Sequence, residues 1–267
     1  MTENAIGPAR VVGAKTVKVD RAAAAVMASM ADATAGMATL SELAAAADLA
    51  KPRPKANLDA KNIKDVYTID NLIGEDVFKS IGVLEWQESA KKNKEVIVGS
   101  RFVASRIVRC SENIEKLKIL RFLLYLIDFY NSSKSGRSKA RKLASKAETR
   151  LALGNAPEQV SEDIKRRFST GGEISGFQAD LLITHCAALA CLIDNYDVDM
   201  FDLRQDLNVE ARQMQQYFQE IGAKMAVLPE AQRKALGLDK AAASQRKIAK
   251  LKLPLEFPKV SFGRKLR

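Results

Sequence analysis

The sequence predicts a mainly α-helical protein with short β wings, built as two compact helical units behind an extended connector. Three observations predict it. Apolar residues recur at spacings of three and four over several long stretches. The apolar–polar alternation of a half-buried strand is confined to a short run near the end. The first 60 residues are rich in alanine and poor in large apolar groups.

Residues 21–50 hold 14 alanines. Alanine is the best helix former but buries little surface, so helices here need a larger body to lie against. Ser41 followed by Glu42 marks a helix start. The run from Lys51 through Pro52, Arg53 and Pro54 to Lys55 then favours an extended path. Residues 1–60 therefore read as a connector, partly helical or disordered, whose ordering depends on a partner.

The first unit, 61–172, begins near Asp65–Ile69. Residues 70–78 read as a strand end or turn entering a short helix. Over 100–109, Phe102, Val103, Ile107 and Val108 share one face, with Arg101, Arg106 and Arg109 elsewhere. The strongest helix covers 113–130, with Ile114, Leu117, Leu120, Leu124 and Ile127 in register. Residues 131–136 end it. A helix follows through Glu148–Leu153, and Pro157 starts another over Glu158–Phe168.

The second unit, 173–267, repeats the order. Gln178–Asp194 is an apolar helix and Asp197–Leu207 a short one. Asn208 is placed to cap a third, Val209–Met225, with Met214, Tyr217, Phe218 and Ile221 on one face. Leu251–Phe257 alternates and suits an edge strand, where Pro254 is tolerated. Three helices with a short sheet form the winged-helix plan, a helix-turn-helix variant.

The net charge of +11 is unevenly spread. Residues 132–150 carry seven Lys/Arg against Glu148 alone, and residues 240–267 carry nine against Glu256 alone. The remainder is slightly acidic. Basic charge in patches favours a polyanion, because neutralised phosphates release counterions. The plain alternative for each patch is a solvated loop or tail. No apolar run reaches the roughly 18 residues of a membrane span; Ile119–Ile127 is the longest candidate and Arg121 interrupts it. The first residues lack the pattern of a secretory signal. Three cysteines (Cys110, Cys186, Cys191) without Cys-x-x-Cys spacing fit a reduced, intracellular protein.

Catalytic chemistry is hard to assemble. His185 is the sole histidine and sits in an apolar helix, as Cys186 and Cys191 do, so all three read as core residues. The scattered thiols do not match a zinc site. Lys134–Lys139 lacks the order of a phosphate loop. Asp194, Asp197, Asp199 and Asp202 lack the glycine and terminal glutamate of a calcium loop, and helix-start carboxylates explain them. Trp86 reads as a packing anchor. No cofactor or metal is expected. The candidates for contact with DNA are basic and amide side chains. Arg137, Lys139, Arg141 and Lys142 lie in the first cluster, and Lys165, Arg166 and Arg167 on the last helix of the first unit. Arg212, Gln216 and Lys224, with Gln213, lie on the last helix of the second. Arg246, Lys247, Lys250, Lys252, Arg264, Lys265 and Arg267 lie in the chain end. Such groups position phosphates rather than read bases, so sequence preference should be weak.

Four stretches carry a family resemblance: residues 2–6; 51–57 leading into Asp65–Ile69; the helix around Arg121–Ile127; and 250–258. In order and spacing they resemble the RNA polymerase I-specific forty-nine-kilodalton subunit family, called polymerase-associated factors in animals, in a fungal form. The resemblance implies a linker followed by a tandem winged-helix domain like that of a TFIIE-type initiation factor. It implies a non-catalytic polymerase I subunit, nuclear and nucleolar, that binds DNA beside the cleft. That subunit would help initiation and elongation of ribosomal RNA transcription. Its implied partners are DNA and other polymerase I subunits. Family members normally begin with a dimerisation module that forms a TFIIF-like heterodimer; this chain starts where that module would have ended, so that partner requires the module upstream. The alternative within this reading is a scaffold that docks on polymerase without touching DNA. A nucleic-acid-processing enzyme is a third, weaker reading.

Overall fold

The computed structural model describes residues 50–136, 140–154 and 156–258. From Pro52 onward these belong to one compact unit. The helix expected from Ser41 and most of the alanine-rich stretch lie outside the described residues.

Two long helices form the centre. α5 (Ile114–Ser132) starts where the Asn113 side chain accepts from the Lys116 amide at 3.0 Å. It buries nearly its whole circumference, Leu117, Leu120, Phe122, Leu126 and Phe129 included. α8 (Gly176–Ile193) packs along it. A capping box starts α8: Ser175 accepts from the Gln178 amide, and the Gln178 side chain accepts from the Ser175 amide. α8 has 18 residues with Asp180 as its one Asp, Glu, Lys or Arg, long and apolar enough to cross a bilayer. This corrects the reading of Ile119–Ile127 as the longest apolar run. Two-thirds of α8 is buried inside the fold, as befits a core helix.

Among the described residues four shorter α-helices precede α5. Val66 and Tyr67 are fully buried, and the chain then forms α1 (Ile69–Leu72), α2 (Glu75–Ser80), α3 (Leu84–Lys91) and α4 (Arg101–Cys110). Residues 70–78 are thus two helices joined at Gly74 rather than a strand end. Trp86 is buried on α3, as its anchoring role predicts. Arg106 departs from expectation: it is buried, not set apart from the apolar face. Its guanidinium stacks over Phe102 at 3.4 Å and holds the buried Asp194, just past α8, at 2.5–3.0 Å. Arg109 holds the same carboxylate, and the Lys116 ammonium donates to Ile193 O at 3.2 Å. Three cations thus meet the negative end of α8.

After α5 come β1 (Lys134–Ser135), β2 (Arg141–Lys142), α6 (Lys146–Ala152), α7 (Glu158–Phe168) and β3 (Glu173–Ile174), which pair antiparallel in the order β1-β2-β3. After α8 come β4 (Asp197–Asp199), α9 (Phe201–Asp206), α10 (Ala211–Glu220), β5 (Ala223–Val227), α11 (Glu230–Ala235), α12 (Lys240–Gln245) and β6 (Lys247–Leu251). The second sheet has the order β4-β6-β5.

Four expectations in this half are corrected. Asp197 and Asp199 belong to a strand, because they pair across to Lys250 and Ile248; the helix starts only at Phe201. Asn208, at φ 50°, closes α9 instead of capping α10, whose N-cap is Glu210. α10 ends ten residues on, at Glu220, because Gly222 turns the chain at φ +88°, so Lys224 and Met225 lie on β5. The strand placed at Leu251–Phe257 is Lys247–Leu251, and it is the middle strand, not an edge. Pro254 falls beyond it, consistent with proline's missing donor. The described residues are thus mainly helical with two small antiparallel sheets; the main hydrophobic core runs from Val66 to Leu251, beside a small cluster of Leu228, Ala243 and Ile248.

Candidate nucleic-acid interface

In the first half the basic cluster meets α6 and α7. Lys134 and Lys142 are cross-strand partners on the β1–β2 ribbon, and both are exposed. Ser145 caps α6 through a second capping box with Glu148, which sequence reading missed, and so sets the helix start at Lys146. Lys146 and Arg150, four apart, share a face. They line adjoining hollows with Lys165 of α7; the larger, of about 570 Å³, also takes in Lys142, Thr149, Ser169 and the Gly171–Gly172 turn. Lys146 and Arg150 were absent from the predicted contacts. The i, i+4 spacing behind a Ser-x-x-Glu cap is the signal that could have found them. Arg141 turns away: it donates to the Ser133 hydroxyl at 2.7 Å and the Ser133 carbonyl at 2.8 Å, and stacks on Tyr130. Arg137 and Lys139 lie outside the described residues.

The three consecutive cations of α7 part company. Lys165 faces the basic trough. Arg167 faces inward, donating to the carbonyls of Leu72 and Ile73 at 3.1 and 2.8 Å and pairing with Asp163 at 2.8 Å. Asp163 is 5% exposed at its side chain and also accepts from Arg166 at 2.6 Å. Arg167 is therefore a clamp that ties α7 to the end of α1. A Cβ at Gly74, already at φ +91°, would come within 3.2 Å of its guanidinium. Beyond this clamp lies an open cleft of about 900 Å³, lined by Asp70, Glu75, Asp76, Glu158, Glu162 and Asp163, with Arg166 and Arg167 at its α7 wall. Glu158 and Glu162 of α7 line both this cleft and the hollows on the α6 side, whereas Lys165 lines only the latter.

In the second half, α10 buries Met214, Tyr217 and Phe218. The Tyr217 hydroxyl donates to Asp180 at 2.5 Å, and Gln213 donates to it at 2.7 Å. Burial, with the Asp180 carboxylate, pushes the phenol well above its ordinary range. Arg212, Gln216 and Gln219 form an exposed outer stripe at i, i+4 and i+7 with no carboxylate among them. Between α9 and α10 a notch holds Arg204, Gln215 and Lys247.

The chain-end cations are largely spoken for. Arg246 pairs with Asp199 at 2.8 Å and stacks over Phe201; Lys250 pairs with Asp197 at 2.8 Å. Of the aspartates read as helix-start residues, Asp202 lies in the first turn of α9 and Asp199 accepts from the Phe201 amide at 3.0 Å; Asp197 and Asp199 are also ion-pair partners of Lys250 and Arg246, and Asp194 lies at the C-terminal end of α8. Lys224 is exposed and pairs with Glu256 at 2.7 Å. Lys252 is exposed. Arg264, Lys265 and Arg267 lie outside the described residues.

Among the described residues no group of three or more His, Cys, Asp or Glu is placed to hold a metal. His185 is buried, its Nδ1 lying 2.8 Å from Leu181 O, with Phe168 edge-on at 5.1 Å between ring centres. Burial lowers its pKa to about 4. Cys110, Cys186 and Cys191 are free and buried, and burial raises each thiol.

Two curated relatives fit this picture. The chain is 29% identical over 246 residues to DNA-directed RNA polymerase I subunit rpa49 of Schizosaccharomyces pombe, covering 87% of this chain and 56% of that protein. It is 24% identical over 230 residues to DNA-directed RNA polymerase I subunit RPA49 of Saccharomyces cerevisiae, covering 79% of this chain and 54% of that protein. The chain thus spans about half the length of the curated relatives it matches. Residues 1–258 match the A49-like RNA polymerase I associated factor family, and the chain belongs to that family.

Proposed function

We propose that the chain is a non-catalytic subunit of RNA polymerase I that binds DNA beside the polymerase cleft through a tandem winged-helix body. It supports initiation and elongation of ribosomal RNA transcription in the nucleus, at the nucleolus. Its other partners are polymerase I subunits, with a TFIIF-like heterodimer partner where a dimerisation module precedes it. The element order supports the tandem reading. The first half runs long helix, two strands, two shorter helices, strand; the second runs long helix, strand, two shorter helices, strand, and adds a further strand after a helical segment, 228–246. The first half lacks that returning strand, and its chain passes straight into α8.

The observation that carries DNA binding is the trough of Lys142, Lys146, Arg150 and Lys165 between α6 and α7. Glu158, Glu162 and Glu173 also line these hollows, but none of the four cations forms an ion pair with a carboxylate among the described residues. Duplex of mixed sequence, titrated with the chain at several salt concentrations, tests it. Affinity should fall steeply, by about 100-fold or more between roughly 50 and 200 mM salt, and depend little on sequence. Binding that ignores salt would remove the reading. A scaffold role without DNA contact is favoured by one feature, the acidic cleft beside α7, which suits a basic protein segment. Crosslinking of assembled polymerase on a template separates the two: a scaffold yields protein crosslinks alone.

A further inference from the structure

The segment entering the body and the segment leaving it meet at one place, the C-terminal end of α10. Thr184 of α8 donates to Pro52 O at 2.9 Å, and Pro54 is buried. Between them the Arg53 guanidinium lies 3.9 Å over the Phe257 ring and donates to Glu220 O, the last residue of α10, at 3.3 Å. The Tyr67 hydroxyl donates to Ile221 O at 2.9 Å. From the other side Leu255 and Phe257 close on Gly222: a Cβ there would stand 3.1 Å from Leu255 and 3.4 Å from Phe257. Lys224 then pairs with Glu256. A cation at helix carbonyls and an aromatic face over that cation reinforce one another, since the ring leaves the guanidinium edge free to donate.

We infer that Arg53 and Phe257 are positioning residues: they form a clasp that fastens the incoming and outgoing segments to the end of α10 and thereby sets that helix. The inference rests on the reading that α10 faces DNA. A pull on residues 52–57 reaches Glu220 through one guanidinium, so the path of the connector and the set of the Arg212–Gln219 stripe are linked. Neither residue touches nucleic acid in this account.

The test uses the full chain with Arg53→Ala, Phe257→Ala, the double variant, and Phe257→Tyr as the conservative control. Two quantities are read: duplex affinity across salt, and amide exchange along the chain. Each alanine variant should weaken binding by about 3–10-fold with the salt slope unchanged, because no phosphate contact is lost. Exchange should quicken by about tenfold or more at 221–227 while α5 keeps its protection. The double variant should fall short of the sum of the single ones, since both remove the Arg53–Phe257 stack. Phe257→Tyr should behave as the unaltered chain. A salt slope that falls by about one in Arg53→Ala would make Arg53 itself a phosphate contact and overturn the inference. Unchanged exchange at 221–227 would also overturn it. If the unaltered chain binds no duplex, the nucleic-acid reading falls, and the exchange profile still decides the clasp.

Discussion

α7 and α10 hold equivalent places in the two halves. Each is the third helix in a series that begins with a long buried one, and each buries a stripe: Val160, Ile164 and Phe168 in α7; Met214, Tyr217 and Phe218 in α10. Their outer faces differ. α7 carries Glu158, Glu162 and a buried Asp163 that occupies two of its arginines. α10 shows Arg212, Gln216 and Gln219 to solvent with no carboxylate among them. The same scaffold position thus serves packing and an acidic cleft in one half and a polar, cationic surface in the other. On the proposed DNA-binding reading, local charge pairing distinguishes the helix face open to a phosphate backbone from the one that is not.

The largest expected effect breaks the clamp on α7. Asp163→Ala strands Arg167 near the carbonyls of Leu72 and Ile73 and should cost about 3 kcal/mol in urea unfolding, as for other buried pairs that lose one partner. Arg167→Ala should cost about 2 kcal/mol, since its side chain is partly exposed (27%). Neither change should alter the salt slope of DNA binding. Next comes the trough. Replacing Lys142, Lys146, Arg150 and Lys165 together by alanine should lower duplex affinity by about 100-fold at low salt and reduce the slope by about three, read by fluorescence anisotropy.

A smaller effect belongs to α10. Arg212→Ala should weaken binding by about fivefold and lower the slope by about one, leaving the melting temperature unchanged. The smallest concerns the junction of the halves, where Asp128 of α5 feels Asp206 of α9. Burial first, and that neighbouring charge second, raise the Asp128 pKa from 3.8 to about 6. A raised carboxylate favours the folded state when protonated, so its contribution is present below pH 4 and lost as pH rises through about 6. Asp128→Asn should therefore stabilise by about 1 kcal/mol at neutral pH, allowing for solvent screening, and the gain should vanish toward pH 4.

The long helices were legible because α5 and α8 carry unbroken apolar patterns longer than any strand. The buried roles of His185, Cys186, Cys191 and Trp86 followed from their apolar neighbours. The errors cluster where periodicity is shared between states. Asp197–Asp199 extends the pattern of a following helix, yet pairing with β6 makes it strand. Val209–Met225 continues an apolar face past Gly222, and only the left-handed turn there divides helix from strand. Among candidate contacts, sequence placed Lys142, Lys165, Arg212 and Gln216 on the surface. It could not separate them from Arg141, Arg167, Arg246 and Lys250, whose partners, apart from Asp163 beside Arg167, lie 8 to 95 positions away. Charge runs reveal a polyanion surface only after intramolecular partners are subtracted, and those partners are set by tertiary structure.

The contrast between the two third helices is tested most directly by the salt dependence of duplex binding in Arg212→Ala and Arg167→Ala, at a temperature where circular dichroism shows both folded. The account predicts a slope lowered by about one in Arg212→Ala and unchanged in Arg167→Ala. A lowered slope in Arg167→Ala with an unchanged one in Arg212→Ala would contradict it.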